Sequence, residues 1–256
     1  MIVVFIVLLI LLIVWLVMES NIAWIVRLFK KNNVIVWGKK RKGKDLLFQL
    51  VINRRKKEPY ASNYPIEYSY GHKASKIDIN DLSVMPNVYD NVILNNVHKI
   101  KRFDEREKMD CYIADAGIYL PSHYHSNIQK AYPSLPIYYS IVGHLYDSNI
   151  HVNYNGSITR LYDKLREQAD DYIKVLDNIK IFGIIFIKVR YYETYESASQ
   201  GLMPMKNSIF NKEQRALYEQ YIAQHGLIKD MWVYILKKHI HYDTRYFRRL
   251  FFDLES

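Results

Sequence analysis

Between positions 38 and 45 the sequence reads Gly38-Lys-Lys-Arg-Lys-Gly43-Lys44-Asp45, a match to G-x-x-x-x-G-K. Residues of these types at this spacing bind phosphate. Glycines let backbone N–H groups turn toward an anion, and a helix that starts right after the loop aims its positive end at the same point. Lys44 then reaches the β- and γ-phosphates as a point charge. Gly38, Lys39, Gly43, Lys44, Asp45 and Leu46 are accordingly the residues expected around ATP. Asp45 stands where Ser or Thr is usual; its carboxylate can serve as a Mg²⁺ ligand, since hard cations take carboxylate oxygens readily.

A phosphate loop of this kind works with a second acidic group at the end of a nearby strand, which positions the metal or its water shell. Asp115, after the apolar run Cys111–Ala114, fits that role, so Asp45 and Asp115 form the expected Mg²⁺ pair. The next residue is Ala116, where a water-orienting Glu is common. Glu193 and Glu196 are alternative bases, and Asn153 or Asn155 can report the γ-phosphate. The two His-x-His pairs lack an accompanying Asp, Glu or Cys cluster and are read as non-metal residues.

These side chains need a scaffold that brings a loop and several strand ends to one edge. Asn33–Trp37 reads as a buried strand, and Leu46–Asn53 has apolar residues at helical spacing. Further strands are expected at Ile77–Leu82, Val92–Val97, Cys111–Ala114, Asn149–Asn155, Asp170–Leu176 and Ile179–Tyr192. Helices are expected at His123–Lys130, at Ile158–Ala169 capped by Ser157, at Lys212–Gln224 and at Ile228–His239; Ile137–His144 reads as helix or strand. Strands alternating with helices predict an α/β P-loop NTPase fold with a mainly parallel central sheet.

Upstream, residues 2–18 (IVVFIVLLILLIVWLVM) carry no charge, glycine or proline. About 17–25 apolar residues suffice for a helix to cross the hydrocarbon core, with its backbone hydrogen bonds satisfied internally. The segment lacks the basic leader and small-residue cleavage site of a signal peptide. Basic residues begin at Arg27, so the positive-inside rule places the N-terminus outside and the body in the cytoplasm. The expected organisation is a membrane anchor over 1–28, a nucleotide-binding domain over 29–200 and a helical, basic and aromatic tail over 201–256. A formal charge of +10, clustered at 30–44, 54–57 and 237–249, favours partners that carry phosphate, including lipid headgroups and nucleic acid. The single cysteine, Cys111, excludes an intrachain disulfide framework and fits a reducing compartment.

From Val34 to about Ala198 the order of features resembles the Zot-like (zonular occludens toxin) family. That family includes the gene I assembly proteins of filamentous phages, within the FtsK/HerA-like P-loop ATPases. VIVWGKKRKGKDLL, NYPIEY, CYIADAGIYLPS, IYYSIVGHLYDSNIHVNYN, LYDKLREQADDYIKV and VRYYETYESA carry the likeness. The resemblance implies that Lys44 is the phosphate lysine, Asp115 the Mg²⁺ aspartate and Arg166 an arginine acting between subunits of a homo-oligomeric ring. It further implies a phage ATPase in the host membrane that drives DNA extrusion or packaging, with single-stranded DNA and other assembly proteins as partners. Asp45, Ala116 and the anchor preceding the domain depart from the family pattern. A catalytically degenerate nucleotide-binding scaffold is the alternative, and a small-molecule kinase with a GKD loop is a third, less favoured for a membrane-bound chain.

Overall fold

The computed structural model describes residues 2–55, 58, 60–62, 75–76, 110–113, 149–161, 163–207 and 211–240. The strands and helices expected at 77–82, 92–97, 123–130 and 137–144 lie outside the described residues.

Among the described residues, eight strands form one sheet: β1 (Val34–Gly38), β2 (Tyr60–Ser62), β3 (Ser75–Lys76), β4 (Asp110–Ile113), β5 (Ile150–Asn155), β6 (Asp171–Ile181), β7 (Ile184–Tyr192) and β8 (Ile228–Leu236). Their order is β3-β2-β4-β5-β1-β6-β7-β8. Every pairing from β3 to β6 is parallel, whereas β6–β7 and β7–β8 are antiparallel. β1 lies between β5 and β6, and all five of its residues are buried. A continuous β-branched run such as Val34-Ile35-Val36 suits a strand covered on both faces.

Helix α1 (Ile2–Lys31) precedes the sheet and α2 (Lys44–Arg54) follows β1. Among the described residues, three shorter helices come later: α3 (Asp163–Glu167), α4 (Tyr195–Gln200) and α5 (Lys212–His225). The core lies between the sheet, α2 and the last third of α1, where Ile22, Ile25 and Phe29 are buried with Phe48, Tyr112 and Val233. Their spacing of three and four places them on one helical face. The first half of the same helix is different: every side chain from Ile2 to Val17 is at least 45% exposed. α1 is long and apolar enough to cross a membrane by length and composition.

Four expectations change. Ile228–Leu236 is a strand, not a helix: its alternate side chains Met231, Val233 and Ile235 are buried in the core, and the rest of IKDMWVYIL supplies the aromatic and β-branched residues a sheet accepts. The tail after 200 therefore contributes a strand to the main sheet. The run 179–192 is two strands, because Phe182 and Gly183 both have positive φ (44° and 79°) and close a two-residue hairpin. Ser157 makes no side-chain cap; residues 158–160 form a 3-10 turn and the α-helix begins only at Asp163. The helix expected to run to about Leu28 continues to Lys31, and its last third packs Ile22, Ile25 and Phe29 into the core.

Candidate functional site

β1 ends at Gly38, α2 begins at Lys44, and the loop between them lies at the carboxyl edge of the parallel strands. Its backbone requires glycine at both ends. Gly38 has φ 151°, and a Cβ there would lie 2.5 Å from the Val175 carbonyl oxygen of β6. Gly43 caps α2 at φ 103°. Arg41, at φ 62°, is a non-glycine residue in the left-handed region, held there by neighbours. Asn178 Nδ2 donates to the Arg41 carbonyl at 3.0 Å, and Lys42 Nζ meets Asp177 Oδ1 at 2.7 Å. These clamps come from a bulge in β6 between Val175 and Asp177, which re-aims the strand as it leaves β1. Nothing in the loop motif announces them. Asp-Asn inside a strand, two residues that sheets disfavour, was the available signal.

Lys44 is only 4% exposed, and its Nζ donates to the Lys39 carbonyl at 2.9 Å. The ammonium is thus turned back into its own loop. Lys39, Lys40 and Arg41 remain exposed around it. Asp45 follows in the first turn of α2, where a carboxylate favours the helix dipole. On the adjacent strand, Asn153 is paired in register with Val36, and its Nδ2 donates to Asp45 Oδ1. The Asn153 Oδ1 is buried with no hydrogen-bond partner. Asn155, paired with Gly38, stands at the loop itself, and Gly156 N donates to the Gly38 carbonyl at 3.2 Å. One edge thereby gathers an inward lysine, a carboxylate, an asparagine with an unused acceptor and a loop whose closest approach excludes side chains. Groups of these kinds can bind a phosphate chain, and a carboxylate with an amide oxygen can bind a hard cation.

The fold is a P-loop α/β fold.

No family model matches the chain, and no curated protein matches it. Among solved structures, the chain is similar to the genome packaging NTPase B204 from Sulfolobus turreted icosahedral virus 2 in complex with ATP-gammaS. That match has 10% identity and a TM-score of 0.40, covering 65% of this chain and 94% of that one. The N-terminal domain of zonular occludens toxin from Neisseria meningitidis matches at 12% identity and TM-score 0.38, over 66% of this chain and 90% of that one. The KaiC-like protein PH0186 from Pyrococcus horikoshii OT3 matches at 14% identity and TM-score 0.39, over 65% and 80% respectively.

The remaining expected site residues fall elsewhere. Asp115 and Ala116 lie outside the described residues; β4, which leads toward them, is separated from β1 by β5. Arg166 is in α3, whose following loop meets the amino edge: Asn33 Nδ2 donates to the Gln168 carbonyl at 3.2 Å, and Tyr172 Oη donates to the Arg166 carbonyl at 2.7 Å. Within one chain Arg166 is thus at the far edge from Lys44, where its guanidinium bonds the Tyr195 hydroxyl and lies 4.9 Å over that ring. Glu193 also sits at the amino edge, accepting from Leu227 N at 2.6 Å, and Glu196 lies in α4 just after it. Because β7 runs back along β6, the residues after it end opposite the phosphate loop. Neither glutamate serves this chain's own loop.

A second polar cluster occupies that amino edge. The Arg55 guanidinium bonds Asp110, Tyr112 Oη (3.3 Å) and the Phe29 carbonyl (3.3 Å), and Glu58 Oε2 accepts from its Nε at 2.9 Å. His151 is fully buried between the rings of Phe29 and Tyr112, at centroid distances of 4.7 and 4.8 Å. Its Nε2 is 3.7 Å from Asp110, beyond hydrogen-bond range, and both ring nitrogens are unpaired. Burial pushes His151 below its ordinary value, so the ring is neutral. Burial also opposes ionisation of Asp110, yet its neighbours hold the carboxyl below the usual range. Those neighbours are His151, the Arg55 guanidinium and the Asn149 N–H, which donates to Asp110 Oδ1 at 2.8 Å.

Proposed function

We propose that the chain is a membrane-anchored P-loop ATPase of a bacteriophage, acting in virion assembly on DNA that is extruded or packaged. The observation that carries nucleotide binding is the junction of β1 and α2: Gly38 against Val175, Lys44 turned into the loop, and Asn153 on Asp45. In this reading Gly38, Lys39, Gly43, Lys44 and Leu46 surround the phosphates of ATP, and Lys44 exchanges its Lys39 carbonyl for them. Asp45 and Asp115 would hold Mg²⁺, which supplies charge neutralisation between the phosphates. Asn153 keeps the Asp45 carboxylate oriented and retains an acceptor for the ligand shell. Arg166, remote from its own loop, belongs to a neighbouring subunit's site in a ring.

The assembly role rests on the Zot-like order of motifs, with LYDKLREQADDYIKV its most specific part. The anchoring rests on α1, which presents only apolar side chains over its first 17 residues and is followed by Arg27, Lys30 and Lys31. By the positive-inside rule the N-terminus faces outward and the ATPase lies in the host cytoplasm.

ATP hydrolysis by the full chain in vesicles, with and without single-stranded DNA, tests the reading. Turnover that DNA stimulates and Lys44→Ala abolishes supports it; nucleotide binding without turnover favours the scaffold alternative, which Ala116 in place of a water-orienting Glu commends. A truncated chain for such work must begin no later than Glu19. A start near Lys30 would delete Ile22, Ile25 and Phe29 from the core.

A further inference from the structure

The β6–β7 hairpin extends well past β1, whose last rung pairs Gly38 with Val175. Six more residues carry β6 to Ile181, and the tip is bare: Ile179 is 47% exposed, Ile181 46% and Phe182 101%. Two-residue hairpin turns of this kind favour Asn, Asp or Gly at the first position, because φ is positive there. Here that position holds an aromatic residue with no apolar neighbour to bury it. From Asn178 to Lys188 and from Met231 to His241 the sequence has no acidic residue, while Lys180, Lys237 and Lys238 are exposed.

The position of this tip relative to α1 follows from contacts along β8. Trp24 packs edge-on against Tyr191, with Lys229 Nζ 5.3 Å over the indole. Asn21 Nδ2 donates to the Trp232 carbonyl at 3.2 Å, and Trp15 Nε1 to Tyr234 Oη at 3.1 Å. α1 therefore runs antiparallel to β8, with its N-terminal half heading toward the hairpin tip. Leu236 pairs with Ile184, and Lys237 N donates to the Gly183 carbonyl at 2.8 Å. The turn thus lies two or three residues beyond Tyr234, about 7–10 Å at strand rise. At helix rise that distance is about five to seven residues of α1, which brings the tip level with the fully exposed apolar half.

We infer that the β6–β7 tip is a second membrane contact, with Ile179, Ile181 and Phe182 entering the near leaflet of an anionic bilayer beside α1 and the long side chains of Lys180, Lys237 and Lys238 reaching back to its headgroups. The occupant is lipid because the tip shares its level with the segment read as crossing the bilayer, and because its charge is wholly cationic. The phosphate loop, at the same edge of the sheet, then works close to the membrane surface. This inference rests on α1 as an anchor.

The test uses the full chain with Cys111→Ser, reconstituted in vesicles containing phosphatidylserine, and a single cysteine carrying an environment-sensitive fluorophore. The labelled positions are Leu8, Ile179, Phe182 and Leu217, the last an exposed residue of α5. Brominated lipid is expected to quench the label at 8, 179 and 182 and to leave 217 unchanged. Quenching at 8 but not at 179 or 182 overturns the hairpin contact and leaves the anchor standing. No quenching at 8 overturns the anchor, and the hairpin contact with it. A label at 182 that is shielded from water, insensitive to brominated lipid and released on dilution would indicate a second copy of the chain and also overturn the inference.

Discussion

The two edges of the sheet handle polar groups in opposite ways. At the amino edge Arg55, Asp110, Tyr112 and Glu58 satisfy one another beneath α1, and within that cluster of described residues His151 is left unpaired, as a neutral ring among aromatics. At the carboxyl edge an ammonium is folded onto its own loop carbonyl, an asparagine acceptor is unused, and three basic side chains stand in solvent. The first arrangement is complete within the chain; the second has capacity left for a ligand. Burial alone does not separate them, since Lys44 and Asp110 are both buried. What separates them is the group each meets: the Asp110 carboxylate bonds the Arg55 guanidinium, whereas the Lys44 ammonium donates to the Lys39 carbonyl of its own loop.

The largest expected effect lies at the amino edge. Removing one member of a buried ion pair strands the other, at a cost of about 3–5 kcal/mol. Asp110→Ala should therefore lower stability by that order in denaturant unfolding, while the molecules that remain folded keep their nucleotide affinity. If affinity falls as much as stability, the two edges are not separable. Gly38→Ala should reverse the pattern: the Cβ meets the Val175 carbonyl, nucleotide binding is lost, and stability drops by about 1–3 kcal/mol, the usual cost of a strained backbone position.

Acid sharpens the contrast next. His151 has a folded-state pKa below its ordinary 6.5, so between those values the unfolded chain binds a proton that the folded chain refuses. Stability should then fall as pH drops below about 6.5, by at most about 1.4 kcal/mol per pH unit. His151→Leu should flatten that slope in thermal melts from pH 7 to 5. Asp110, whose folded pKa is depressed, adds a further loss only at more acidic pH, below the ordinary carboxylate range. The smallest effect belongs to the solvent-exposed clamp. Asp177→Ala should leave melting almost unchanged yet speed amide exchange at Arg41 and Lys42, because it frees Lys42 without touching the core.

How much of this was legible in the sequence depended on range. The loop was fully legible, since Gly38, Gly43 and Lys44 act through local backbone chemistry and through a strand and helix contiguous with them. Asn153 was legible as a candidate, although its partner Asp45 required the pairing of β5 with β1. The antiparallel half was misread. A continuous apolar run hides the turn at Phe182-Gly183, because an aromatic occupies a position where a hairpin normally shows Asn or Gly. Without that turn, 179–192 reads as one strand, Glu193 stands as an alternative base although it follows β7 at the amino edge, and Ile228–Leu236 has no strand to pair with. The Arg55–Asp110 pair gave no sequence signal, joining residues fifty-five apart through a crossover. The sequence reads α1 as an anchor, and the residues that prolong its apolar pattern, Ile22, Ile25 and Phe29, also complete the core.

The most direct measurement of the central claim is equilibrium binding of a fluorescent ATP analogue to the full chain in vesicles, comparing the unaltered protein with Lys44→Ala. The account predicts saturable, Mg²⁺-dependent binding that Lys44→Ala abolishes with no loss of folding stability. Saturable binding that survives Lys44→Ala, or no binding by the unaltered protein, would contradict it.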